Sequence, residues 1–212
     1  MTYTQQQIAA LRDEVSARLG DKRLAHTLRV AEEAKRLAEL YLPIDTDLVE
    51  VAALLHDVTK ELSDGEQYAL CRAFGIDTAE AEGSPQILHA WTGAGVTRRD
   101  FPEFAHPAVM QAVYRHTTGT PDMTLMDEII FVADYIEPGK LHEDCVRTRA
   151  WFWGASREVL QSPMHLHRAV KIILENTVRF LEARGYPIQE QTLSAYTWIC
   201  QITQDTNETD TQ

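Results

Sequence analysis

The 212-residue chain has no run of about 18 apolar residues, the length that a membrane-crossing helix requires, so no membrane span is expected. Positive charge is scarce, with 20 Lys and Arg against 32 Asp and Glu and a formal net charge of −12. Such a balance disfavours DNA or RNA, which bind largely through phosphate neutralisation. It does not exclude a small phosphorylated ligand held by a metal and a few local cations. Cysteine is sparse too. Cys71, Cys145 and Cys200 are far apart and form no CxxC pair, so they suggest no disulfide framework and suit a reducing cytoplasm. The opening MTYTQQQIAALRDEV lacks a basic stretch followed by an apolar run, so no secretory signal is expected. No segment alternates apolar and polar residues as a half-buried strand would.

What remains is helical periodicity. Apolar residues make up 44% of the chain, enough for one domain with a proper core. The predicted architecture is all-α, a bundle of about nine or ten helices in a single domain over residues 1–203. The polar tail 204–212, QDTNETDTQ, is expected to be disordered. Helices are predicted over about 4–19, from an Asp21 cap to before Pro43, over 46–58, from a Ser63–Glu66 capping box to Gly75, and from Ser84-Pro85 onward. Further helices start at His106-Pro107 and cover about 125–136, 144–161, 163–184 and 189–203.

Two of these segments are apolar nearly all round yet carry acids. His56-Asp57 ends VAALLHDV, and Asp134 interrupts IIFVADYIE. An ionised carboxylate in a core is costly unless it is paired or binds a metal. Each alone has an ordinary explanation, a solvated helix end or an arginine partner; together they favour a shared divalent transition metal. His26 lies beside the apolar stripe of the second helix, and its order before His56-Asp57 and Asp134 gives the pattern H…HD…D. His89 in ILHAWTGAG is followed by small residues that permit close helix approach, and His116 in VYRHTTG stands at a helix carboxyl end. Lys60 reaches the face of Asp57 if the helix continues; an ordinary exposed lysine is the equal alternative. His106, His142, His165 and His167 have no accompanying motif and are read as structural.

The H…HD…D order is the signature of the HD superfamily, in which the two intervening histidines bind a second metal or donate to phosphate. ALLHDVTKE (53–61), ILHAWTGAG (87–95), VYRHTTG (113–119) and DYIEPGK (134–140) together resemble the YqeK family of symmetrical bis(5′-nucleosyl)-tetraphosphatases. The resemblance runs over roughly residues 20–190. It implies an HD-domain hydrolase that cleaves diadenosine tetraphosphate (Ap4A) to two ADP, with water activated by metal attacking an inner phosphate. It also implies iron held by His26, His56, Asp57 and Asp134, and nucleotide contacts from Arg23, His89, His116, Thr117 and Lys140. Lys140 stands where the family often has arginine, which keeps the charge without the bidentate fork.

For the chemistry, His89, His116, Lys60 and Arg23 offer donors to developing charge, and one of the two histidines is a candidate to protonate the departing ADP. The residues leave one metal or two open, and a homo-oligomer remains open. Two competing readings are another HD nucleotidase or cyclic-nucleotide phosphodiesterase, and a non-catalytic nucleotide-sensing module. HTTG and DYIEPGK argue against the first, and the presence of every expected ligand argues against the second.

Overall fold

The computed structural model describes residues 3–204, and these contain eleven α-helices and no strand. The first is α1 (Gln5–Ser16), opened by a capping box between Thr4 and Gln7. Then come α2 (Asp21–Tyr41), α3 (Thr46–Leu55) and α4 (Asp64–Phe74). The Ser63–Glu66 capping box forms as expected, and Gly75 closes α4 at φ 66°, a left-handed position that suits a residue without Cβ. A short 3₁₀ turn at Pro85–Ile87 feeds α5 (Leu88–Asp100), and α6 (Pro107–Arg115) follows. His106 caps α6, its Nδ1 accepting from the Ala108 amide. The chain ends in α7 (Leu125–Ile136), α8 (Glu143–Trp153), the short α9 (Arg157–Leu160), α10 (Pro163–Arg184) and α11 (Glu190–Gln204).

Helices α3 and α7 form the centre. Every residue from Leu48 to Leu55 is buried, as are Met126 to Ala133. Each fully buried Leu or Ile contributes ~1.5–3 kcal/mol relative to an exposed one, so these two segments dominate the core. Helix α2 packs on both, α6 lies against α3 and α7, α5 bridges α4 and α6, and α10 joins α7 to α11.

Some expected boundaries change. Asp21 is the first residue of α2, and Gly20 occupies the cap without a side-chain bond. Ser84 likewise makes no cap bond. The third helix stops at Leu55, and residues 56–61 continue as turns. The long helix expected over 144–161 breaks at Gly154, and Ser156 occupies the cap position of α9. Helix α11 includes Gln204, and residues 205–212 of the expected tail lie outside the described residues.

Candidate active site

Three helices and the turns after α3, α6 and α7 bring the sequence-predicted site residues together. Arg23 and His26 project from α2, His56 and Asp57 follow α3, and His89 lies in α5. His116 and Thr117 follow α6, Asp134 comes from α7, and Lys140 from the turn beyond it. His56 and His116 stand at the carboxyl ends of α3 and α6, where the helix dipoles favour positive charge.

The histidines are oriented by the backbone. His56, His89 and His116 each donate Nδ1–H to a carbonyl three residues earlier: Ala53 at 2.6 Å, Gln86 at 2.6 Å and Val113 at 2.7 Å. This shared geometry fixes the tautomer and turns each Nε2 lone pair inward. His26 Nδ1 instead faces the Glu137 carboxylate at 3.1 Å. Its Nε2 lies 3.1 Å from Asp134 Oδ1 and 3.5 Å from Asp57 Oδ2. His56 Nε2 is 3.4 Å from Asp57 Oδ2 and 4.0 Å from Asp134 Oδ1. It is buried and has no hydrogen-bond partner.

Asp57 divides its two oxygens. Oδ2 meets His26, His56 and the Arg23 guanidinium, the last at 2.7 Å. Oδ1 lies 3.2 Å from His89 Nε2 and 3.7 Å from His116 Nε2. Burial opposes ionisation of Asp57, but the surrounding histidines, His56 foremost, outweigh it and hold the carboxyl well below its ordinary range. Burial is also overcome at Asp134, chiefly by Lys140, whose Nζ is 2.8 Å away. At His26 the same contest raises the pKa to about 9, because hydrogen bonds to Asp134 and Asp57 outweigh desolvation. His89 goes the other way, to about 4, since its burial exceeds the pull of Asp57.

These features fit a divalent cation. His26, His56 and Asp134 place ligand atoms within 4.8 Å of one another, and so do His56, Asp57 and His116. An unpartnered buried imidazole nitrogen costs free energy that a metal bond removes. Two carboxylates and several imidazole lone pairs suit a transition metal ion.

Above the cluster lies a cleft of about 330 Å³ with Arg23, Lys60 and Lys140 on its walls and Phe131 and Ile173 from α7 and α10 among its lining. Of the two alternatives for Lys60, the inward one holds: its Nζ lies 3.2 Å from His89 Nδ1. The link is positional, since that nitrogen already donates to Gln86. Thr117 Oγ1 sits 3.2 Å from His89 Nε2 and 3.1 Å from His116 Nε2.

Sequence reasoning missed Glu137. It is buried, accepts from Arg29 Nε at 2.6 Å and from the Gly139 amide at 2.5 Å, and orients His26. Its only signal was its place inside DYIEPGK. A second omission is the buried chain Gln67–Thr59–Thr92. Gln67 donates to the Thr59 carbonyl at 2.6 Å, and Thr59 donates to the His89 carbonyl at 2.9 Å. The four histidines read as structural have local roles. His106 and His142 cap α6 and α8, His165 bonds the Phe152 carbonyl, and His167 meets the buried Glu128.

The family model of the HD domain matches residues 23–139. A symmetrical bis(5′-nucleosyl)-tetraphosphatase of Halalkalibacterium halodurans is 34% identical over 182 residues, covering 86% of this chain and 91% of that relative. Its namesake from Staphylococcus aureus is 33% identical over 178 residues, covering 83% and 86%. A solved structure from Clostridium acetobutylicum, described as an HD superfamily hydrolase involved in NAD metabolism, superposes with a TM-score of 0.78 at 26% identity. It covers 95% of this chain and 100% of that one. With an H…HD…D cluster assembled beneath a cationic cleft, the chain belongs to the HD-domain family and, within it, to the YqeK group of symmetrical bis(5′-nucleosyl)-tetraphosphatases.

Proposed function

We propose that this protein hydrolyses Ap4A symmetrically to two ADP in a metal-dependent reaction in the cytoplasm. The observation that carries the reading is the cleft itself, in which Arg23, Lys60 and Lys140 surround a buried histidine–carboxylate cluster on a protein of net charge −12. Three cations concentrated there suit a short polyphosphate and not an extended polyanion. Ap4A as the substrate is supported by the names of the relatives.

In this reading His26, His56, Asp57 and Asp134 hold the ion, and the family resemblance favours iron. The bound ion supplies a Lewis acid and lowers the pKa of water at the cleft floor. Arg23, Lys140 and Thr117 hold the polyphosphate so that an inner phosphorus faces that floor, with one ADP moiety on each side of the scissile bond. Lys60 offers a fixed donor where negative charge grows. The His89 and His116 rings, already oriented by the backbone through Nδ1–H, donate from Nε2 only once that nitrogen has taken up a proton, as it would from the attacking water. The departing ADP oxygen takes its proton from this same group of donors.

Chromatography of products from the metal-loaded protein tests the proposal, with Ap4A, deoxynucleotides and cyclic nucleotides as separate substrates. ADP as the sole product from Ap4A is expected. ATP plus AMP, or no cleavage of Ap4A alongside turnover of another nucleotide, would overturn it. Asp57→Ala is expected to lose both bound metal and turnover while its helical circular dichroism persists; an active variant would refute the ligand assignment.

A further inference from the structure

A second groove adjoins the cleft and is unlike it. About 250 Å³ in volume, it is walled by Tyr135, His142 and Phe180, with Cys145, Asn176 and Thr177 completing it beside Asp144. Tyr135 and Thr177 line both spaces, so the two adjoin. The turn Lys140–Leu141–His142 runs from one to the other, with a phosphate-binding cation at one end and an aromatic ring at the other. His142 and Phe180 stand edge to face with centroids 6.3 Å apart. Phe180 is 39% exposed and Leu141 is 81% exposed, so an apolar rim borders a polar catalytic cleft.

We propose that this groove, at the junction of α7, α8 and α10, is the nucleobase subsite, taking one base of a nucleoside polyphosphate by stacking on the Phe180–His142 wall. The proposal rests on the function proposed above for the size of its ligand. The arrangement supplies what a base needs: an aromatic ring pair bordering a cationic cleft, with His142 edge-on to Phe180 and one face of Phe180 already under the Arg184 guanidinium at 4.4 Å. The polar groups present are already engaged. Asn176 Oδ1 accepts from Arg179 at 2.6 Å and its amide donates to the Tyr135 hydroxyl at 3.3 Å. Asp144 is tied to Arg147 at 3.1 Å, so its charge does not stand free against the phosphates. Stacking is therefore the main source of affinity here, and stacking accepts any base because every base has a π-face.

Calorimetric binding of ADP and of inorganic pyrophosphate to the metal-loaded protein separates base from phosphate recognition. Phe180→Ala and His142→Ala are each expected to weaken ADP by about 5- to 150-fold, the range of one base–aromatic stack, while pyrophosphate affinity stays within about twofold. Phe180→Tyr is expected to bind ADP like the parent. Unchanged ADP affinity in both alanine variants would overturn the subsite, as would an equal loss for pyrophosphate. The outcome is independent of turnover. A parent protein that binds ADP through Phe180 but releases no ADP from Ap4A refutes the proposed reaction and leaves the subsite standing. A parent that cleaves Ap4A while both alanine variants bind ADP unchanged does the reverse.

Discussion

Asp57 and Glu137 show how differently two buried carboxylates reveal themselves. Asp57 is conspicuous in the sequence because it interrupts an apolar run, and a charge in such a run needs a partner. Glu137 follows the end of α7 beside Pro138-Gly139, where an acid looks like ordinary turn chemistry. Only the folded chain puts it 3.1 Å from His26 Nδ1. A carboxylate bonded to the far nitrogen of a ligating histidine raises its basicity and fixes its ring, so Glu137→Gln is expected to weaken metal binding by about 10–100-fold. Titration against a competing chelator measures this; unaltered affinity would reduce Glu137 to an anchor for Arg29. Lys60 was undecidable beforehand for a similar reason. Its side depends on where α3 ends, and element boundaries are set by packing that local pattern does not reveal.

At the level of elements, the small residues around His89 serve the close packing expected of them, with one addition. A Cβ at Gly93 would sit 3.2 Å from Val113 Cγ1 and 3.6 Å from the His56 carbonyl, so α5 runs hard against α6 and the His56–Asp57 turn. Gly95 is tighter still, since a Cβ there would overlap the Phe74 ring of α4. Gly95→Val gains a few tenths of a kcal/mol in helix propensity but incurs overpacking of ~1–3 kcal/mol. Its melting temperature is expected to fall, by about 2–4 °C per kcal/mol for a chain of this size. Thermal unfolding that matches the parent would show that Phe74 swings clear. Most helices were legible because their apolar period and caps agree, as in the Ser63–Glu66 box. The break at Gly154 was not, because the aromatic run Trp151–Phe152–Trp153 carries a helical pattern up to it. The α10 contribution to the cleft was equally hidden: Ile173 and Thr177 look like core and surface residues until α10 is laid against α7.

For the molecule as a whole, the acids at the centre tie stability to the ion. His26 and His56 meet Asp57 and Asp134 over distances of 3.1–4.0 Å. A ligand of the native state alone stabilises it by RT ln(1 + [L]/Kd), ~2.7 kcal/mol at a hundredfold excess over Kd. Chelation is therefore expected to lower the melting temperature by about 5–10 °C. A melting curve indifferent to chelator would argue that the cluster holds itself together by protonation.

The distribution of the cluster along the chain also sets an order of events. His26, His56 and Asp57 belong to α2 and the turn after α3, two helices that pack on each other and are adjacent in sequence. Asp134 arrives only after α4, α5 and α6 have been made. During synthesis, an amino-terminal helical hairpin thus presents three donors before the fourth exists, and local contacts of this kind form early. If these residues hold the ion as proposed, metal loading would be a stage in the maturation of the nascent chain, complete only once α7 docks and brings Asp134.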